Sequence, residues 1–173
     1  MRERTIIVNG VSKAYAMTGW RIGFIAAPEW IVKACNKLQG QYTSGPCSVS
    51  QKAAEAAYTT SQECVETMRK AFERRRDLIV ELASQIPGLE VNKPEGAFYL
   101  FPKCSSFYGK SYEGKTINNS TDLAMFLLET GHVATVGGDA FGDPDCFRMS
   151  YATSDDNIRE AMKRIKETLA LLK

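Results

Sequence analysis

The chain has 173 residues, of which 44% are hydrophobic and 24% charged, an ordinary globular composition that excludes disordered, collagen-like and low-complexity readings. Twenty-two Lys and Arg against 20 Asp and Glu leave a formal charge of +2, too balanced to point to nucleic acid. No apolar run approaches the roughly 20 residues that cross a bilayer, and the start, Met1-Arg2-Glu3-Arg4-Thr5-Ile6-Ile7-Val8, lacks the apolar core and cleavage site of a signal peptide, so a cytoplasmic location without a membrane partner is expected.

The first apolar run, residues 5–9, is β-branched and bounded by Gly10, which predicts a short strand buried on both faces. A second strand is predicted at 22–27, before Pro28. The loop between them is rich in small residues and has no regular period. A helix follows at 29–39, then a turn at Tyr42-Thr43-Ser44-Gly45-Pro46, then a helical run from about Ser48. Two strands at the start require more sheet than is visible here, so the residues before about 48 are expected to be mobile or to lean on another chain.

A further helix is predicted from Thr60, with Glu63 three residues on as its capping-box partner. Val65, Met68, Phe72, Ile79, Leu82 and Ile86 share its apolar face, and Pro87-Gly88 stops it. Arg74-Arg75-Arg76 within that helix reads as a solvated face offset by Asp77 and Glu81. Beyond Gly88 the pattern changes to strands at 89–91, 97–101, 133–136 and 146–151, with a helix at 121–130 capped by Ser120. A last helix opens at Thr153-Ser154-Asp155-Asp156 and carries Ile158, Met162, Ile165, Leu169 and Leu172 on one stripe. Residues 105–119 read as a long polar loop. This half is an α/β layer with helices packed on a sheet.

Five scattered cysteines without a Cys-x-x-Cys pair read as buried thiols. A single histidine, His132, reads as an ordinary capping or surface residue. Neither a zinc site nor Ser-His-Asp or Cys-His catalysis can be assembled from that set, and no metal is expected. Lys13 is more informative. It follows a strand among Gly, Ser, Ala and Met, with no acidic residue close in sequence, a setting that suits a Schiff-base amine. Eight residues later Arg21 opens the next strand beside Gly19 and Gly23 and offers a fixed fork for a phosphate. The two together describe a pyridoxal phosphate site.

The stretch Gly10-Val11-Ser12-Lys13-Ala14-Tyr15-Ala16-Met17-Thr18-Gly19-Trp20-Arg21-Ile22-Gly23 resembles, position for position, the cofactor-attachment motif of class I aminotransferases of fold type I. The resemblance continues through Thr43-Ser44-Gly45-Pro46, Pro94-Glu95-Gly96-Ala97-Phe98-Tyr99-Leu100-Phe101 and Phe147-Arg148-Met149-Ser150-Tyr151-Ala152. Within the family the chain is most similar to bacterial aspartate aminotransferases. The resemblance implies an α/β fold, the C-terminal part of a fold-type I transferase: residues 1–48 as the end of the large cofactor domain, 49–83 as connecting helices, and 84–173 as the small domain.

It also implies the chemistry. Pyridoxal 5'-phosphate would be the cofactor, Lys13 its covalent anchor and the base that moves the substrate Cα proton, Arg21 the phosphate ligand and Arg148 the ligand of the substrate α-carboxylate. The substrates would be an amino acid, aspartate, and a 2-oxo acid, 2-oxoglutarate, and the full-length enzyme a homodimer. Gly10 stands where several branches have a phosphate-binding serine, and Gly45 where the family often has asparagine. The family's ring-stacking aromatic and pyridine-nitrogen partner are not found here, so the chain is expected to be a C-terminal fragment, inactive alone. Three alternatives stand beside this reading: another pyridoxal phosphate enzyme such as a β-lyase, a non-catalytic folding or interaction module, and the aminotransferase-like part of a transcription regulator.

Overall fold

Two glycines allow the first piece of structure to close. Strands β1 (Ile7–Gly10) and β2 (Gly23–Ala26) pair antiparallel, with Ile7 opposite Ala26 and Gly10 opposite Gly23. A Cβ on Gly10 would meet the Ile22 carbonyl at 3.0 Å, and one on Gly23 would meet the Asn9 carbonyl at 3.1 Å, so the ladder ends on a pair of residues without side chains. The computed structural model describes all 173 residues, and the chain divides into two compact units, Met1–Met68 and Arg69–Lys173.

In the first unit the β1–β2 ribbon is followed by helices α1 (Glu29–Tyr42) and α2 (Ser48–Thr59). Phe24 of β2 and Tyr15 of the intervening loop both set ring edges against Tyr58 of α2, at 5.7 and 5.3 Å between centroids. The predicted burial of the first strand on both faces is not met within the chain: Val8 is 75% exposed and Ile7 54%. A two-stranded ribbon supplies no layer to cover its faces. Helix α1 likewise buries no residue. Thr60 ends α2 rather than opening the next helix, its hydroxyl donating to the Ala56 carbonyl at 2.7 Å. Helix α3 (Glu63–Ser84) begins three residues later, where the Ser61 hydroxyl accepts from the Glu63 N–H at 3.3 Å.

The second unit takes in α3 from Arg69 onward and an antiparallel sheet of order β3-β7-β6, formed by β3 (Tyr99–Leu100), β6 (Val136–Gly137) and β7 (Phe147–Ser150). Leu100 faces Met149 across one ladder and Gly137 faces Phe147 across the other. Leu100, Phe147 and Met149 therefore share one face, and all three are buried with Leu78 and Ile79 of α3, Leu123 and Leu127 of helix α4 (Ser120–Glu129), and Ile158, Met162 and Ile165 of helix α5 (Asp155–Leu169). Each such side chain contributes about 1.5–3 kcal/mol by burial.

Residues 105–119 are more ordered than their polarity suggests. They hold a short hairpin, β4 (Ser111–Tyr112) with β5 (Lys115–Thr116), anchored by buried Phe107 and Ile117. Asn119, not Ser120, caps α4, its side chain accepting from the Asp122 N–H at 2.8 Å. Ser120 is buried, and its hydroxyl accepts from the Gly138 N–H at 3.0 Å. Two cysteines, Cys104 and Cys146, are buried as expected, and burial pushes their thiols up to about 11 and about 12. Cys35, Cys47 and Cys64 are exposed, because the first unit packs too thinly to cover them. No helix is long and apolar enough to cross a membrane.

The three consecutive arginines of α3 divide their work. Arg76 pairs with neighbouring Asp77 at 2.9 Å, as its position suggests. Arg74 instead grips Asp155 at the start of α5 with two bonds, at 2.9 and 3.2 Å, and Arg75 lies 3.5 Å from the same carboxylate. The Arg74 guanidinium holds the Asp155 carboxyl below its ordinary value of 3.8. A lowered folded-state value contributes stability above the ordinary pKa and loses it as the pH falls through the folded value. Thermal melts between about pH 3 and pH 7 should therefore show Asp155→Asn less stable than the parent at the upper end, with the gap closing toward the acid end. A gap that stays constant over that range would show that the ion pair carries no folding energy.

Candidate functional site

Lys13 and Arg21 sit on the single loop that joins β1 to β2. The loop begins at Val11, whose side chain is 1% exposed and fixes the segment to the first unit. Two short turns follow. In the first, the Tyr15 N–H donates to the Val11 carbonyl at 3.3 Å and the Ala16 N–H to that of Lys13 at 3.1 Å. The second is a 3-10 turn over Thr18–Trp20 that ends on Arg21 in the left-handed region, φ 50. The Thr18 hydroxyl donates to the Ser12 carbonyl at 3.0 Å and ties the two turns together, while the Tyr15 hydroxyl donates to Gln62 at 2.6 Å. Both Lys13 and Arg21 are exposed. One guanidinium nitrogen of Arg21 donates to the Thr18 carbonyl at 2.9 Å, which fixes the group and leaves its other N–H donors available.

This donor set fits pyridoxal phosphate. An amine suited to an aldehyde and a guanidinium suited to a phosphate lie on one loop. A cavity of about 260 Å³ opens at the base of the hairpin between Gly10, Gly23, Pro46 and Tyr58, but neither Lys13 nor Arg21 lines it.

Arg148 lies in the second unit, on the central strand β7. It alternates with buried Phe147 and Met149, as its spacing predicts, and so points away from the core on the same face as Ser150. Tyr99, opposite Ser150, shares that face. The Arg148 Cζ lies 4.3 Å from the Tyr99 ring centroid and 4.0 Å from that of Phe141. Aromatic faces, rather than a carboxylate, hold this cation, and its in-plane N–H groups are left to bind an external acid. Tyr99 lies in one of the motif segments of the resemblance, whereas nothing in the sequence singles out Phe141, which no periodic element carries.

Comparison with known proteins agrees with the motifs. The family described as aminotransferase class I and II matches residues 1–165. The chain is 50% identical over its whole length to a bifunctional aspartate aminotransferase and glutamate/aspartate-prephenate aminotransferase of Petunia hybrida, of which it spans 37%. It is 48% identical to an aspartate aminotransferase of Rhizobium meliloti (strain 1021), with 95% of the chain and 40% of that protein aligned. Among solved structures, an aspartate aminotransferase from Rhizobium meliloti superposes with a TM-score of 0.96 at 46% identity, covering 99% of the chain and 43% of that structure. An aromatic aminotransferase from Pyrococcus horikoshii superposes with a TM-score of 0.88 at 40% identity, covering 98% and 44%. The chain thus spans well under half the length of these relatives.

Four of the six non-glycine residues with positive φ fall in the motif segments, the others being Glu113 and His132. Ala16, Arg21, Ser44 and Ala97 all have φ between 50 and 61, a region costly for any residue with a Cβ. At Ala97 the restraint is visible: buried Tyr151 donates its hydroxyl to the Ala97 carbonyl at 3.0 Å, and its N–H donates to the Phe98 carbonyl at 2.9 Å. Tyr151→Phe should cost about 1 kcal/mol by leaving that carbonyl short of a donor. Ala97→Gly should be neutral or stabilising by up to about 1 kcal/mol, because glycine adopts the conformation without penalty. Urea unfolding of the two variants checks both, and equal midpoints for the parent and Tyr151→Phe would remove the hydroxyl from this account.

Proposed function

Since the chain belongs to the aminotransferase class I and II family, we propose that it is the portion of a pyridoxal phosphate-dependent enzyme that anchors the cofactor and binds the substrate carboxylate. The reaction is transfer of an amino group from an amino acid, aspartate, to a 2-oxo acid, 2-oxoglutarate. Residues 84–173 form the small domain in this reading, and the working enzyme is a cytoplasmic homodimer. Exposed Trp30, Leu38 and Tyr42 of α1 support an assembly that covers them.

The residues divide the chemistry as follows. Lys13 Nζ would supply the amine that holds the cofactor and, when free of it, the base that takes the substrate Cα proton. Arg21 binds the phosphate with the N–H groups that its bond to Thr18 leaves available. Arg148 orients the substrate by a paired contact to its α-carboxylate, with the guanidinium plane set by Tyr99 and Phe141. The chemistry supplied by pyridoxal phosphate when bound is withdrawal of electrons from the bonds at Cα.

The observation that carries this reading is the placement of Lys13 and Arg21 on one tied loop closed by the Gly10–Gly23 pair. Incubation with pyridoxal phosphate, borohydride reduction and peptide mass spectrometry test it. A selective adduct on Lys13 is expected, lost in Lys13→Ala and reduced in Arg21→Ala. Labelling scattered over the surface lysines, or labelling indifferent to Arg21, would overturn the assignment.

A further inference from the structure

Arg148 is held differently from the ion-paired cations of the second unit. Arg74, Arg76, Lys93, Lys115 and Arg164 each meet a carboxylate within 3 Å, whereas Arg148 meets two rings. The rings reach it from opposite flanks of β7. Tyr99 stands on β3, paired along one edge, and Phe141 ends a 3-10 turn over Gly138–Phe141 that follows β6 on the other edge. The guanidinium carbon lies about 4 Å from each centroid, so two rings crowd the one cation, and a planar group so placed has its N–H groups as the means of meeting an acid.

The turn that delivers Phe141 is fixed at several points. The Gly138 N–H donates to the Cys146 carbonyl at 2.8 Å and to the buried Ser120 hydroxyl at 3.0 Å, and the Thr121 hydroxyl donates to Asp139 at 3.1 Å. A Cβ on Gly138 would collide with the Asp143 and Cys146 carbonyls. Phe101 closes the outer side, setting its ring at 89° to Phe141 with 6.1 Å between centroids. A ring 44% exposed to solvent is thus held at one place by buried backbone, an arrangement that core packing does not require.

We infer that Phe141 is a positioning residue for carboxylate binding: with Tyr99 it clamps the Arg148 guanidinium in one plane, so that a substrate carboxylate can approach only edge-on, in the paired geometry. This rests on the reading of Arg148 as the carboxylate ligand and adds a determinant outside the four motif segments. The energetic sense is preorganisation. A long arginine side chain that is already ordered gives up less freedom when the acid binds.

The test uses the whole chain, labelled with 15N-arginine, and succinate as the probe. In the parent the Arg148 side-chain N–H signals should show slow rotation about the Cζ–Nε bond and should shift as succinate is added. Phe141→Ala should average those signals and weaken succinate binding about threefold to tenfold, the loss expected for one such ring contact. Phe141→Tyr should restore both, and the backbone amide spectrum and melting midpoint should stay close to the parent's. Fast rotation already in the parent, unchanged binding in Phe141→Ala, or failure of Phe141→Tyr to restore it would each overturn the inference. Arg148→Gln separates the two layers. If it abolishes binding while Phe141→Ala leaves binding unchanged, only the clamp fails; if it leaves binding intact, or if the parent shows no succinate shift, the Arg148 assignment falls and the clamp with it.

Discussion

A strand can put only every other side chain on a given face, and the four residues of β7 carry that constraint for the whole second unit. Phe147 and Met149 turn inward to the core shared by α3, α4 and α5, while Arg148 and Ser150 turn outward. The core holds the strand and the strand holds the arginine, so the direction of the guanidinium is secured by burial elsewhere. A register slip of one residue would drive Arg148 into a core with no counter-charge and expose two large apolar side chains. Its flanking strands complete the arrangement, because β3 and β6 each bring an aromatic ring, or the turn that ends in one, to the same outward face.

The first unit solves a different problem with less packing. The loop between β1 and β2 lies on an exposed ribbon, so order comes from local hydrogen bonds, from buried Val11 and from two tyrosines set against each other. Left-handed residues at Ala16, Arg21 and Ser44 are the cost of turning the chain so sharply there. At Arg21 backbone and side chain act together: the same turn that forces its backbone into the left-handed region brings its guanidinium back to the Thr18 carbonyl. Large apolar side chains such as Val8, Trp30 and Tyr42 remain uncovered in this unit, whereas the second unit closes a continuous core of its own.

Legibility in the sequence followed the range of the interactions. The stripe of α5 and the alternation in β7 depend on neighbours a few positions apart and match the spacing, while in α3 the spacing finds Ile79 but omits buried Leu78 and Ala83 and runs on to Ile86, beyond the helix end. Boundaries set by competition between adjacent residues were read less well. Thr60 could open one helix or close another, and the Ala56 carbonyl decided for the second. Ser120 could cap α4, but Asn119 took that role and freed Ser120 to hold the Gly138 N–H eighteen residues away. Residues 105–119 looked like loop because their polar majority outweighs the two buried anchors, Phe107 and Ile117, that order them.

What the sequence determined by itself was the family motif around Lys13 and Arg21, the two-faced strand bearing Arg148, and the helices, since each is written in contiguous residues with a fixed period or spacing. The tertiary structure alone decided which distant partners the charges take and which rings meet Arg148. Arg74 is 81 positions from the Asp155 it binds, and Tyr99 and Phe141 reach Arg148 from different strands. No local pattern encodes such meetings, because they exist only once burial of a shared core has fixed the register of the sheet and the seat of each helix upon it.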